Sequence, residues 1–378
     1  MPITHCRVCG HEFFSSPLLR YANMPKAAQF LPSAAALKKD AGTGLEVCQC
    51  SGCGLVQLSN EPVPYYREVV RASAFSPEMR DFRVKQFSRF VRKYALKGGK
   101  VIEIGCGRGE YLSLMRRTGA DVYGLEYSGK AVDHCRREGL KVSRGFLGNS
   151  HAKLRGGPFQ AFFILSFLEH LPEPNSTLRE AYNNLSDGGY GLVEVPNFDM
   201  IMRKNLFSEF ISDHLLYFTK DTLVAALDRN GFEVLECKEI WRDYIISAVV
   251  RKRGKLDLSR FHRRRTALAV EINAYIRRFK PGKVAVWGAG HQALTVMSLA
   301  SLAGKIRYVV DSAPFKQGKY TPATHIPIVS PASIVTDPVD AVIVMAAGYS
   351  DEVAGIIRRK YDGKINISIL RERGLETV

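Results

Sequence analysis

The sequence predicts an α/β protein in which a small cysteine-rich N-terminal domain precedes two successive nucleotide-type folds. Three observations predict it. From residue 67 onward, short apolar strand-like runs alternate with helix-compatible stretches, the pattern of parallel strands covered on both faces by helices. Two of these runs lead straight into glycine-rich loops, at Gly105 and at Gly288. The first 66 residues hold two C-x2-C pairs and little helical periodicity.

At 378 residues the chain exceeds what one hydrophobic core supports, and its texture divides it into domains at 1–66, 67–250 and 251–378. No apolar run approaches the roughly 20 residues that a membrane helix needs. The opening MPITHCRVCG lacks a basic stretch followed by an apolar one, so the expectation is a cytoplasmic protein whose reduced thiols serve a metal before they serve disulfides. The formal net charge of +17 favours an anionic partner. Its basic clusters, such as Arg263 to Arg265 and Arg358 to Lys360, are not interleaved with aromatic residues, which argues against a nucleic-acid stacking surface; a solvated basic face accounts for them, and a nucleotide-linked substrate fits as well.

Taken in chain order, the first chemistry is Cys6-Arg-Val-Cys9-Gly and Cys50-Ser-Gly-Cys53-Gly. A C-x2-C turn brings two thiolates to one ion, glycine tolerates the backbone this requires, and two such turns complete a tetrahedral zinc site. Cys48 is the rival fourth ligand, but its spacing to Cys50 suits the turn less well. With no water-activating ligand apparent, the zinc is expected to be structural.

The next element is the strand Lys100 to Ile104, which carries Glu103 and runs into Gly105-Cys106-Gly107-Arg108-Gly109. Strands follow at Asp121 to Leu125, ending beside Glu126, at Phe162 to Ser166, and at Gly191 to Val195. Glycines here let the backbone approach a ligand, and an acid about 20 residues on can grip a ribose hydroxyl pair. The compact G-x-G-x-G, Glu103 and the stretch Ile164-Leu-Ser-Phe-Leu-Glu-His-Leu171 together resemble the fingerprint of class I S-adenosylmethionine-dependent methyltransferases. That resemblance implies S-adenosylmethionine on Gly105, Cys106 and Gly107, with Glu126 on its ribose, Phe146 against its adenine, and Ser166 and Phe167 near its amino-acid end.

The whole chain resembles the sugar C-methyltransferases that act on ketone-bearing deoxysugar nucleotides. The resemblance rests on the knuckles, on Gly54-Leu-Val-Gln-Leu58, on Trp287 to Leu294, and above all on Tyr308 to Ile328. It implies a class I methyltransferase core, a Rossmann-like C-terminal domain and a substrate cleft between them. It also implies catalytic candidates at His170 and at Asp213-His214, because methylating carbon beside a ketone needs a base and a neighbouring acid can orient a histidine. The chain departs from the family pattern at Ile211, at Val70-Arg71-Ala72 before Ser73, and at Arg242-Asp243-Tyr244, where tyrosine, tyrosine and a Gly-Gly-Ser-like segment are usual. Transfer to oxygen or nitrogen of another metabolite stays open, as does a zinc-ribbon methyltransferase acting on RNA.

The last fold begins at Lys283 to Trp287, after a basic helix-compatible stretch from Lys252 to Lys280, and continues through Ile306 to Val310 and Ala341 to Met345. Its loop Gly288-Ala-Gly290 with Asp311 matches a dinucleotide fingerprint. The family resemblance implies instead a domain without a cofactor of its own, with His291 and His325 as candidates to face the substrate.

Overall fold

The computed structural model describes residues 2–29, 31–68, 76–148, 153–361 and 364–378. Val70 to Ser73 therefore lie outside the described residues. The chain forms two compact units, Met1–Gly254 and Lys255–Val378.

In the first unit, β1 (Leu19–Met24), β2 (Thr43–Gln49) and β3 (Val56–Leu58) make an antiparallel sheet over the knuckles. Helix α1 (Pro77–Lys93) follows, started by Pro77 and capped by Ser76, whose hydroxyl accepts from Met79 N at 3.2 Å. The core then runs β4 (Lys100–Ile104), α2 (Glu110–Arg116), β5 (Asp121–Glu126), α3 (Gly129–Arg137), β6 (Lys141–Arg144), β7 (Phe159–Leu165), α4 (Pro174–Asn184) and β8 (Leu185–Pro196). It ends with α5 (Phe198–Arg203), β9 (Leu216–Tyr217), α6 (Lys220–Arg229), β10 (Phe232–Ile240) and β11 (Ile245–Lys252).

The large sheet has the order β10-β11-β8-β7-β4-β5-β6. The expected parallel pairing holds from β6 to β8, but β11 runs antiparallel to both β8 and β10, so the sheet is mixed. The reason is local. The four-residue connection Trp241 to Tyr244 from β10 to β11 makes a hairpin, whereas a parallel return needs a crossover of a dozen residues or more. Within the core a buried ion pair of Arg83 with Glu194 ties α1 to β8.

The cysteine-rich segment does not close on itself. Strand β9 pairs with β3 through Val56↔Tyr217 and Gln57↔Leu216, completing the N-terminal sheet from the middle of the chain. Cys6, Val8, Cys50 and Leu55 share a buried cluster with Phe162, Leu178 and Phe218. The strand that follows His214 is thereby pinned to the N-terminal segment.

The second unit runs α7 (Ser259–Ile276), β12 (Val284–Trp287), α8 (His291–Leu299), β13 (Val309–Val310), β14 (Ile328–Val329), α9 (Ser333–Thr336), β15 (Ala341–Val344), α10 (Ser350–Lys360), β16 (Asn366–Arg371) and β17 (Gly374–Thr377). Every residue of β12 and β15 is buried, as strands covered on both faces must be. Sheet order is β14-β13-β12-β15-β16-β17, parallel except for the β17 hairpin. Among the described residues no helix is long and apolar enough to cross a membrane.

Candidate active site and cysteine centre

The carboxyl ends of β4 and β5 meet at the first glycine loop. Gly105, Gly107 and Gly109 have φ of 71°, 55° and 83°, a region that side chains disfavour. A Cβ on Gly105 would come within 2.8 Å of the Phe167 ring, so the loop lies directly on that ring. Glu126 is buried and accepts from Gly107 N at 2.9 Å and from Ser128 N at 2.8 Å. Each carboxylate oxygen carries a second lone pair, so the acid can brace the loop and still receive a hydroxyl. The Cys106 side chain is turned into the core, where a Cβ on Gly124 would meet its sulfur at 2.7 Å. Only backbone is available there to a ligand.

Two cavities open at this edge, one of 530 Å³ beside Gly107 and Ser128, the other of 390 Å³ beside Phe146 and Tyr66. Phe146 stands edge-on to Tyr66, Tyr127 and Phe167, with ring centroids 6.0 to 6.5 Å away. The Arg67 guanidinium sits 5.3 Å from the rings of Tyr66 and Phe146 and 5.7 Å from that of Tyr127. A flat cation among aromatic rings marks a slot that a flat heterocycle also fits. Arg67 escaped the sequence reading because its only local signal is a preceding tyrosine pair. Ser166 follows β7 with φ 48°, turning the chain away from the strand.

Beyond that turn the two candidate histidines come together. His170 and His214 stand with ring centroids 4.8 Å apart in a T-shaped contact. His170 Nδ1 donates to the Asp213 carbonyl at 2.7 Å, which leaves its lone pair on Nε2. Burial pushes both imidazoles below their usual range, His214 to about 3 with help from the neighbouring His170. The Asp213 carboxylate is directed elsewhere. It accepts from Ala28 N at 2.9 Å and from the Tyr65 hydroxyl at 2.7 Å, so it anchors the N-terminal segment and acts on His170 through space without a hydrogen bond to the ring.

The four knuckle sulfurs converge, with Cys9 Sγ 3.2 Å from Cys50 Sγ and Cys6 Sγ 3.7 Å from Cys53 Sγ. Ligands at 2.3 Å on a tetrahedral ion stand roughly 3.8 Å apart, so the set fits one zinc ion. Backbone N–H groups of Val8 and Cys9 point at Cys6 Sγ, and those of Gly52 and Cys53 at Cys50 Sγ, as a thiolate site requires. Gly10 and Gly54 close the turns with φ of 79° and 76°. Cys48 lies outside the cluster, buried on β2.

Comparison with known proteins agrees with this geometry. Residues 78–237 match a methyltransferase domain and residues 257–367 a C-methyltransferase C-terminal domain. The chain is an S-adenosylmethionine-dependent methyltransferase. It is similar to the C-methyltransferase NovU of Streptomyces niveus, at 24% identity over 93% of this chain and 91% of that protein. A ubiquinone biosynthesis O-methyltransferase of Methylococcus capsulatus is 32% identical over 27% of this chain and 45% of its own length, less than half of that relative. An S-adenosylmethionine-dependent methyltransferase of solved structure from Mesorhizobium loti is 17% identical over 44% of this chain and 99% of its own, with a TM-score of 0.37.

The C-terminal unit of this methyltransferase repeats the loop. Ala289 N and Ala313 N donate to the Asp311 carboxylate, both at 2.9 Å. The Lys316 ammonium adds a third donor at 2.8 Å and also bonds Ala289 O. A ribose approaching Asp311 would have to displace that ammonium. His291 is exposed at the start of α8 and His325 sits in a turn with φ 53°.

Proposed function

We propose that the enzyme transfers a methyl group to the carbon beside the ketone of a nucleotide-linked deoxysugar, after a histidine has removed the proton from that carbon. The observation that carries this reading is the half-buried His170 and His214 pair, held neutral with one tautomer set by the Asp213 carbonyl. A neutral imidazole lone pair is what removing the proton of a weak carbon acid requires, whereas methyl transfer itself needs mainly positioning. Domain order supports carbon as the acceptor, since the match to a C-methyltransferase C-terminal domain and the similarity to NovU together span nearly the whole chain. The net charge of +17 suits the phosphates of a nucleotide sugar.

Bound S-adenosylmethionine supplies the electrophilic methyl group. In our reading the backbone of Gly105, Cys106 and Gly107 holds its methionine part, Glu126 its ribose and Phe146 its adenine, while Ser166 and Phe167 border the amino-acid end. Asp213 acts through two groups, its carbonyl on His170 and its carboxylate on Tyr65 and Ala28. Cys6, Cys9, Cys50 and Cys53 hold a structural Zn2+, whose four thiolates leave no open position for catalysis.

A panel of nucleotide keto-sugars tests the reading by a mass gain of one methyl and, without cofactor, by deuterium exchange at carbon. His170→Asn and His214→Asn are expected to bind S-adenosylmethionine in calorimetry, and the variant that removes the base to lose turnover by roughly a hundredfold to ten-thousandfold. Full turnover in both variants would move the transfer to oxygen or nitrogen.

A further inference from the structure

Glu169 is the third member of the histidine cluster. Its side chain is 1% exposed, and neither carboxyl oxygen has a hydrogen-bond partner. An unpartnered buried carboxyl is costly, and such groups recur where chemistry uses them. Glu169 Oε1 lies 4.0 Å from His170 Nε2, beyond hydrogen-bond reach and within ion-pair range. Ligand-capable atoms of Glu169, His170 and His214 all fall within 4.8 Å of one another. Two reciprocal bonds keep the segments in register, His170 Nδ1 to Asp213 O at 2.7 Å and Leu215 N to Glu169 O at 2.8 Å.

We propose that Glu169, in place of Asp213, is the carboxylate partner of the histidine base, so that His170 Nε2 takes the substrate proton and ionised Glu169 balances the imidazolium. This rests on the reading that the methyl group goes to carbon. In the step the substrate C–H bond breaks, its electron pair stays on the substrate as the enolate, and an N–H bond forms at Nε2. The Nδ1 hydrogen stays on the Asp213 carbonyl throughout. The Asp213 carboxylate is held by Ala28 and Tyr65 and acts on His170 only through space, whereas Glu169 stands at ion-pair distance from Nε2.

Among the described residues the titratable groups around Glu169 are His170, His214 and, from the turn before β11, Tyr244. Tyr244 is pushed up to about 12, mainly by burial, and donates to Glu209 at 3.2 Å, so it stays neutral. Burial holds the Glu169 carboxyl up to about 8, while it lowers both imidazoles. Near neutral pH the pair of Glu169 and His170 therefore shares one proton, seated on the carboxyl. Its basic form, carboxylate beside neutral imidazole, grows as pH rises through about 8.

The experiment is a histidine-ring NMR titration of the full chain, wild type against Glu169→Gln, with calorimetric binding of S-adenosylmethionine as the check on folding. The His170 ring of the wild type is expected to shift as Glu169 ionises near pH 8, and that step is expected to vanish in Glu169→Gln. Should the glutamine variant fail to fold, Glu169→Asp replaces it, and there the step is expected to persist. Identical His170 titrations in wild type and Glu169→Gln would overturn the pairing while leaving transfer to carbon intact. Deuterium exchange at substrate carbon retained by both His170→Asn and His214→Asn would instead overturn the carbon reading beneath it. A second equivalent of divalent metal, retained through dialysis against zinc and lost in Glu169→Gln, would overturn the pairing by making these residues ligands.

Discussion

The chain builds the same device twice, a glycine loop braced by the acid at the end of the next strand, and the two copies differ in what else meets that acid. Glu126 receives the N–H groups of Gly107 and Ser128, and Asp311 receives those of Ala289 and Ala313. Only backbone donors are shared. At the second copy the Lys316 ammonium lies on the carboxylate where a ribose would bind, and it bridges to the loop carbonyl as well. A fold can thus keep the architecture of a nucleotide site while one lysine turns its acid to structural use.

The largest expected contrast between the units concerns metal. Structural zinc contributes on the order of 10 kcal/mol to the folding of small zinc modules. Chelation, or Cys50→Ser, should therefore lower the melting transition of the first unit and leave that of the second in place. Differential scanning calorimetry with metal analysis reads both; a zinc-free chain melting as the native one does would remove zinc from the account.

The two acids come next. Each hydrogen bond to a charged group contributes roughly 1.5–3 kcal/mol, so Glu126→Ala should weaken S-adenosylmethionine binding by about tenfold to a hundredfold or more. Asp311→Ala should leave that affinity unchanged, and NAD should not bind the wild type. Calorimetric titration of both variants checks this, and equal weakening would break the distinction between the copies.

Glycines sharpen the contrast further. Gly105→Ala meets both φ 71° and the Phe167 ring, at about 1–2 kcal/mol for the backbone alone, so cofactor affinity should fall several-fold or more. Gly290 has φ −89° and open space around its Cβ position, so Gly290→Ala should be silent in the same titration.

The smallest expected effect lies in the turn before β11, where Trp241, Arg242 and Asp243 hold φ of 50°, 57° and 64° in succession. Glycine adopts that conformation freely, and the exposed ion pair of Arg242 with Glu78 contributes little. Arg242→Gly should raise the melting temperature of the first unit by about 1–2 °C. A drop would mean that the arginine stabilises the turn by more than its backbone strain costs.

What the sequence by itself determined were features encoded within a few residues of each other. The apolar runs marked β4, β5, β7 and β8, glycine positions marked the loops, and C-x2-C spacing marked the cysteine cluster. Each depends on side-chain periodicity or on a single φ, which neighbours along the chain settle. The hairpin that made the large sheet mixed was missed, because apolar runs of either direction read alike. Tertiary structure alone decided the partners. It set His170 against His214, turned the Asp213 carboxylate toward Tyr65 and left Glu169 beside the imidazole. It also drew β9 into the N-terminal sheet and seated Arg67 among the rings. Residues more than 40 positions apart meet only after the chain is packed, and which of two acids, each next to a histidine along the chain, faces the imidazole depends on backbone direction at that point. The identity of the chemistry was legible because its residue types are rare; its wiring was not, because hydrogen bonds between distant segments leave no local pattern.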